Sequence, residues 1–281
     1  MVASSTEYSV ALDKTYRGKC ELPHLSAWAA LMPLDWLTQT RRQAVRSVEN
    51  LPGLSACSQC VELTNGERYV LRHQTARASR CGIDYRQEAH LLSQIAPLGF
   101  SPKPLCHTEN ASLLSWIEGQ TATEFSPTLL KMLAYRLATL YTFDVQAEKG
   151  SEALIPFDLA QRCQFFWQQL APDVRQKLPF SPPFPTISPF KRAICHHDLH
   201  LQNIVLNHGE LFLIDWEYAA LSDPALDIAL FFAANPLNAT QQAIFLRHYF
   251  AKTGFEPTAF RRKMAQYAQE VPKLSQLWFL L

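Results

Sequence analysis

Apolar and polar residues alternate over short runs in the first 118 residues, which is the period of β-strands. Asn65-Gly66 separates two of these runs and favours a tight hairpin turn. Residues 84–95 instead space their apolar side chains at helical intervals, and Gly99 is expected to end that helix. An earlier helix is predicted over residues 26–37, with an interruption at Pro33. The predicted strands are residues 44–51, 60–64, 68–74 and 112–119.

Helical periodicity dominates from Ser126 onward, and this serine is suited to cap the first long helix. The proline-rich residues 179–189 predict an irregular connector. Two short apolar strands, joined at His208-Gly209, interrupt the helices before the chain becomes helical again from Pro224. The pattern therefore predicts an α+β protein with a β-rich N-lobe at 1–118 and a mostly helical C-lobe at 119–281. The predicted elements of the second half are helices at 127–143 and 159–170 and strands at 204–207 and 211–215.

Composition narrows the class of protein. Hydrophobic residues make up 48% of the chain and charged residues 18%, which is typical of a globular protein, and the net charge is +1. Because no basic stretch interleaves with aromatic residues, we expect no binding to nucleic acid. The N-terminus lacks the pattern of a signal peptide, and the most apolar run, residues 228–234, is too short to cross a bilayer. We therefore expect a cytoplasmic protein without a membrane segment.

The seven cysteines are odd in number and scattered, which argues against a secreted disulfide framework. Cys57 and Cys60 form a CxxC pair without a second pair at zinc-ligand spacing, so two ordinary cysteines near a loop and a strand are favoured over a zinc site. His196 and His200 are spaced as zinc ligands on a helix would be, but a loop would not hold both on one face.

Polar residues with the chemistry of phosphoryl transfer lie between His196 and Asp227. Asp198 is followed by Asn203, and Asp215 ends the predicted strand pair that begins just after Asn203. Because a hairpin folds back on itself, we expect Asn203 and Asp215 to lie close together, with Asp198 on the same loop. Amide and carboxylate oxygens suit Mg²⁺, and a further carboxylate can accept a hydroxyl proton.

The stretch HHDLHLQN is similar to the HxDxxxxN catalytic loop shared by protein kinases and the aminoglycoside phosphotransferase and choline kinase family. LIDWEYA and SDPALDIA resemble the two segments that follow in that family, and IDWEYA most resembles bacterial choline and thiamine kinases. The resemblance implies a bilobal protein-kinase-like fold that covers most of the chain. It also implies a kinase that uses ATP and Mg²⁺ to phosphorylate a small-molecule alcohol.

Carried over to this chain, the resemblance implies a role for each matching residue. Asp198 would be the catalytic base, braced by His196, and Asp227 would hydrogen-bond into the catalytic loop or face the substrate. Asn203 and Asp215 would bind Mg²⁺, and Trp216 and Glu217 would contact the substrate. Arg72 would bind phosphate, with Glu88 as its ion-pair partner. The nucleotide would be covered by a loop with Gly53 and Ser55, and its adenine would contact Trp116, Ile117 and Glu118.

Two positions depart from the family pattern. Arg72 stands where lysine is usual and would bind phosphate in a bidentate manner, as the resemblance to choline kinases suggests. The nucleotide loop is poor in glycine, with Gly53 alone. Taken singly, Asp198 reads as a helix cap or surface carboxylate, but its order with Asn203 and Asp215 favours the functional interpretation. Arg72 could instead be a surface charge on an alternating strand, and Glu88 a solvated helix residue.

The sequence is compatible with three functions. The first is a kinase for a cationic alcohol such as thiamine or choline, which Glu217, Trp216 and Tyr218 would suit equally. The second is an aminoglycoside kinase, which the few acidic residues of the C-terminal segment disfavour. The third is a catalytically inactive kinase fold that acts as a binding module, although all three polar motif residues are present. The oligomeric state is not indicated by the sequence.

Overall fold

The computed structural model describes residues 33–51, 57–108, 110–144, 154 and 156–281. The chain forms two compact units: the first contains Met1–Ser93 with Pro102–Trp116, and the second contains Gln94–Ser101 with Ile117–Leu281. The assignment of nucleotide binding to the N-lobe and of catalysis to the C-lobe stays a prediction. No helix among the described residues is both long enough and apolar enough to cross a membrane.

A five-stranded antiparallel sheet forms the first unit, with the strand order β1-β2-β3-β5-β4. The predicted hairpin between β2 and β3 is confirmed, and its turn uses Gly66 at φ 86°, a conformation that glycine adopts at little cost. The Asn65 side chain accepts a hydrogen bond from the Glu67 N–H across this turn. The strands are β1 (Val45–Asn50), β2 (Cys57–Leu63), β3 (Arg68–His73), β4 (Pro104–His107) and β5 (Ala111–Ser115).

Three helices accompany this sheet: α1 (Pro33–Arg41), α2 (Ala76–Arg80) and α3 (Tyr85–Ile95). Trp36 and Leu37 of α1 join a hydrophobic core with apolar side chains of β2 to β5. Pro33 is the first residue of the described helix, where proline fits the first helical turn, so its interruption of a longer helix stays a prediction. Residues 26–32 of the helix predicted there lie outside the described residues. The side chains of α3 that the helical period predicted to be apolar are all buried: Ala89, Leu91, Leu92 and Ile95.

Helices make up most of the second unit. Ser126 caps the first of them as predicted, because its hydroxyl accepts a hydrogen bond from the Leu129 N–H at 3.2 Å. The helices are α4 (Pro127–Thr142), α5 (Leu159–Gln169), α6 (Pro172–Gln176), α7 (Pro224–Ala234), α8 (Ala239–Thr253) and α9 (Pro257–Phe279). Helix α4 packs along α8, and α9 packs along α7.

Two small antiparallel sheets carry the loops of interest in this unit. In the first, the predicted hairpin of β8 and β9 is confirmed, with His208 and Gly209 at its turn, and β6 pairs with β8. In the second, β7 pairs with β10. The strands are β6 (Gln120–Thr121), β7 (Ala193–Cys195), β8 (Ile204–Asn207), β9 (Glu210–Leu213) and β10 (Ala220–Ser222).

Gly119 lies just before β6, against the backbone of β8. Its φ is 137°, and a Cβ atom placed there would collide with the Leu206 carbonyl oxygen and lie 2.7 Å from Val205 Cγ1. We therefore expect Gly119→Ala to lower the free energy of unfolding by about 2–3 kcal/mol, the cost of a strained backbone position. Urea unfolding measures this change in the free energy of unfolding.

The matched control is Gly254→Ala, which also has positive φ but open space around the added methyl group. This variant carries the backbone penalty without the collision, so it should cost about 1–2 kcal/mol. Equal losses in the two variants would contradict a steric role for the contact with β8.

Candidate active site

The loop that follows β7 begins with a buried, neutral histidine. The His196 ring donates from Nε2 to the Ile214 carbonyl at 2.9 Å, and its Nδ1 accepts from the Asp198 N–H at 3.3 Å. Burial lowers the pKa of this imidazole, although Asp227 acts in the opposite direction. With one nitrogen as donor and the other as acceptor, the neutral ring satisfies both contacts. His196 thus joins its own loop to the end of β9, which is the bracing position that the resemblance implies.

Asp227 of α7 binds the same loop from the opposite side. Its Oδ2 accepts from the His196 N–H at 2.6 Å and the Tyr141 hydroxyl at 2.8 Å, and its Oδ1 accepts from the His197 N–H at 2.9 Å. The predicted hydrogen bond into the catalytic loop is therefore present. The alternative expectation, a substrate contact by Asp227, is corrected: the residue is 0% exposed and both oxygens are occupied by the protein.

We expect Asp227→Asn to destabilise the protein by on the order of 3 kcal/mol, because an amide must turn its NH₂ group toward donors that are themselves buried. Loss of loop order should also lower kcat. Urea unfolding and steady-state kinetics measure the two effects. Asp173→Asn, on the exposed surface of α6, is the control and should change stability by less than about 0.5 kcal/mol. Similar unfolding midpoints for the two variants would contradict this role of the buried carboxylate.

The backbone is in an unusual conformation at one residue of the loop after β7 and at one residue just after β9. His197 has φ 66° and Asp215 has φ 64°, both in the left-handed region. Side chains other than glycine avoid this region, although asparagine, aspartate and histidine tolerate it best. Such positions persist only where surrounding contacts hold them, as the bond from His197 to Asp227 does.

Asp198 and Asn203 are brought together within one turn of chain. The Asn203 amide nitrogen donates to the Asp198 carbonyl at 2.8 Å and to its carboxylate Oδ2 at 3.0 Å. Asn203 is buried and ends a short 3₁₀ helix at Leu201–Asn203, so its side chain is fixed. Because the nitrogen donates to Asp198, the amide oxygen is the atom of Asn203 that could bind a cation.

Asp215 is placed near Asn203 by the hairpin, as the sequence predicts. Asn203 immediately precedes β8, and Asp215 is the second residue after β9. Ile204 pairs with Leu213, and the Ile214 N–H donates to the Asn203 carbonyl at 3.0 Å. One carboxylate and one amide oxygen fit Mg²⁺, which takes few protein ligands and fills its shell with water and substrate phosphates. Within the described ranges, no group of three histidines, cysteines or acidic residues could hold a metal.

Trp216 does not face outward as the substrate prediction requires. Its side chain is 0% exposed, its indole N–H donates to the Leu213 carbonyl at 2.8 Å, and its ring lies 4.6 Å from that of His196. A turn closed by the Ala219 N–H on the Trp216 carbonyl directs the indole inward. Trp216 is therefore a packing residue beneath the loop, and the prediction is corrected. Glu217 is 6% exposed, and its role as a substrate contact stays a prediction.

Three contacts of the site could not be deduced from the motifs. Tyr141 of α4 reaches Asp227, and the Asn235 amide, at the end of α7, donates to the Leu199 carbonyl at 2.7 Å. The Trp278 indole N–H near the C-terminus donates to the Tyr218 hydroxyl at 3.0 Å, with the rings 6.3 Å apart. Sequence motifs carry no signal for such pairs, since their partners are distant in the chain.

The predicted ion pair of the first unit is present. Arg72 on β3 and Glu88 on α3 are buried, with Nη1 and Oε1 3.4 Å apart, and the guanidinium lies 5.7 Å from the centre of the Tyr85 ring. A buried pair of this kind fixes the direction of the arginine, since leaving either charge without the other would be costly. Phosphate binding by Arg72 stays a prediction.

The remaining predicted nucleotide contacts belong to the nucleotide loop and to the segment that follows β5. Gly53 and Ser55 lie outside the described residues. Trp116, Ile117 and Glu118 follow β5, and the Arg68 guanidinium stacks 4.8 Å from the centre of the Trp116 indole. The assignment of these three residues to adenine binding stays a prediction.

Comparison with known proteins agrees with this arrangement. Residues 60–262 match the phosphotransferase enzyme family, and the chain belongs to that family. A thiamine kinase of Escherichia coli is 26% identical over 233 residues, which cover 81% of this chain and 79% of that protein. A LicA homolog of Metamycoplasma hominis is 27% identical over 184 residues, or 63% of this chain and 69% of its own length.

Solved structures confirm the protein-kinase-like α+β fold. The choline kinase LicA from Streptococcus pneumoniae superposes with a TM-score of 0.63 at 20% identity, covering 88% of this chain and 89% of that one. A structure of LicA in complex with AMP gives a TM-score of 0.64 at 21% identity and covers 88% of both chains. At these identities the likeness establishes the fold, and the acceptor of this chain must be argued from its own residues.

Proposed function

We propose that this chain is an ATP- and Mg²⁺-dependent kinase that transfers the γ-phosphoryl group to a hydroxyl of a small cationic alcohol of the thiamine or choline type. The observation that carries the proposal is the convergence of Asp198 and Asn203, with Asp215 at the adjoining end of the hairpin. Membership of the phosphotransferase enzyme family and the thiamine kinase relative support the same chemistry.

Phosphoryl transfer asks the protein mainly to position groups and to stabilise charge. Asp198 would accept the proton of the acceptor hydroxyl. The amide oxygen of Asn203 and the carboxylate of Asp215 would hold Mg²⁺, which when bound neutralises charge on the β- and γ-phosphates. Arg72, directed by Glu88, would bind phosphate oxygens of the nucleotide. The AMP complex of LicA supports an adenine nucleotide as the donor.

Residues just after Asp215 favour a cationic acceptor. Glu217 is nearly buried, and Tyr218 forms an aromatic pair with Trp278 that is also joined by a hydrogen bond. Aromatic faces and a carboxylate together stabilise a quaternary or ring nitrogen cation through cation–π attraction and charge pairing.

An aminoglycoside would instead need several carboxylates, and the final segment from Phe255 supplies only Glu256 and Glu270 as acids. Glu256 caps α9 and Glu270 pairs with Lys273, so both are engaged within the protein.

The test is a substrate screen with the purified protein. ATP, Mg²⁺ and one acceptor at a time (thiamine, choline, ethanolamine or kanamycin) are incubated, and ADP release is measured. ³¹P NMR of the product then shows whether the phosphate is on the hydroxyl oxygen. Release dependent on thiamine or choline supports the proposal. Turnover with kanamycin alone would favour the antibiotic kinase, and no acceptor-dependent release would count against a kinase for these alcohols.

A further inference from the structure

The carboxylate of Asp198 has contacts at one of its two oxygens. Asn203 Nδ2 lies 3.0 Å from Oδ2, and His200 Nε2 lies 3.5 Å from the same atom. Among the described residues, no hydrogen bond or ion pair reaches Oδ1. A carboxylate fixed in this way has a defined rotamer and presents its second oxygen in one direction.

His200 is itself fixed by two contacts. Its ring Nδ1 lies 2.9 Å from Gln202 Oε1, and its backbone carbonyl accepts the Asn203 N–H at 3.0 Å. The backbone at His200 is extended, with φ −145°, immediately before the 3₁₀ turn that ends at Asn203. The order Gln202, His200, Asp198 therefore forms a chain of polar contacts within five residues. A base oriented by a second side chain, which is oriented by a third, is a recurrent arrangement in catalysis.

The contact of His200 with Asp198 is too exposed to contribute much to the stability of the fold. The two side chains are 33% and 34% exposed, and ion pairs at such positions contribute little to folding because solvent screens them. A contact that adds little to folding, but lies on the carboxylate of the loop motif, is better explained by its effect on that carboxylate.

We propose that His200 is a positioning residue, an inference that rests on the proposed kinase function. His200 and Asn203 both contact Oδ2 of Asp198 and restrict the carboxylate, which leaves Oδ1 for the acceptor. In the transfer, the acceptor oxygen forms a bond to the γ-phosphorus and the bond from that phosphorus to the bridging oxygen of ADP breaks. The hydroxyl proton passes to Oδ1 of Asp198. His200 takes no part in bond making, and it limits rotation of the base.

The experiment compares His200→Ala with His200→Gln in the full chain, using the acceptor found in the screen. His200→Ala is expected to lower kcat by about 10- to 100-fold, the usual cost of a misplaced reacting group. The KM for ATP and the thermal unfolding midpoint should stay unchanged. His200→Gln keeps an N–H donor near Oδ2 and should recover most of the lost kcat. His248→Ala, on α8 beside Tyr135 of α4, is the control and should retain wild-type kcat.

A crystal structure of His200→Ala is expected to show Asp198 in a different rotamer or in more than one. An unchanged kcat in His200→Ala would overturn the inference, and so would equal losses in the alanine and glutamine variants. A wild-type chain that is inactive on every acceptor would instead reject the proposed function itself. The two failures are therefore distinguished by the activity of the wild type.

Discussion

Asp198→Asn is expected to lower kcat by about 100-fold or more, because an amide cannot accept the hydroxyl proton that the carboxylate takes in the transition state. The substitution keeps the shape of the side chain, and its remaining oxygen can still accept the hydrogen bond from Asn203 at the position of Oδ2. ATP affinity and stability should therefore stay close to wild type, since the Asp198 side chain is 34% exposed. Acceptor-dependent ADP release gives kcat, and nucleotide titration gives the dissociation constant.

Asp173→Asn again serves as the matched control, because it removes a carboxylate from the exposed surface of α6. It should retain full turnover. If Asp198→Asn keeps kcat within about threefold of wild type, an effect too small for the loss of a general base, the assignment of Asp198 is rejected. A fall in kcat that is accompanied by an equal loss of ATP affinity would point to disruption of the loop.

The second large effect is expected at Asp215, where Asn is also the informative replacement. Asparagine tolerates the left-handed backbone at φ 64°, so Asp215→Asn removes the charge without adding strain, whereas alanine would confound the two. We expect the Mg²⁺ concentration for half-maximal activity to rise by at least about tenfold, equivalent to about 1.4 kcal/mol of binding free energy. kcat at saturating Mg²⁺ should fall as well.

Titration of Mg²⁺ at fixed ATP measures this shift, with Asp173→Asn alongside. High Mg²⁺ should restore part of the activity of Asp215→Asn, as expected for a weakened metal site, but should not restore Asp198→Asn. An unchanged midpoint for Asp215→Asn would show that this carboxylate does not bind the metal.

The sequence predicts those elements whose signal is local. Asn65-Gly66 specifies the hairpin turn, Ser126 specifies a helix start, and the helical period of residues 84–95 specifies the buried face of α3. The short strands β7 and β10 were not predicted. Three residues are too few to show a period, and these strands exist because they pair with each other across 25 or more residues of chain.

The candidate site, like the fold, was predicted only where the signal is local in the sequence. The order of Asp198, Asn203 and Asp215 along the chain was enough to predict that a hairpin brings the last two together. Trp216 was misassigned because adjacency to Asp215 says nothing of the turn that directs its indole into the core. The bond from Asp227 to the loop after β7 was predicted, but its bond to Tyr141 was not. Tyr141 lies 86 residues away, and the apolar face of α4 does not indicate that a hydroxyl is needed there.

The buried Asp227 carboxylate also limits how this protein can change. One side chain accepts hydrogen bonds from two distant segments, the loop after β7 and the last turn of α4. A replacement at Asp227 leaves two backbone N–H groups and the Tyr141 hydroxyl without an acceptor. No single second substitution can supply an acceptor to all three. A mutational route through this position therefore passes through a poorly folding intermediate, so laboratory evolution toward a new acceptor should gather its changes elsewhere.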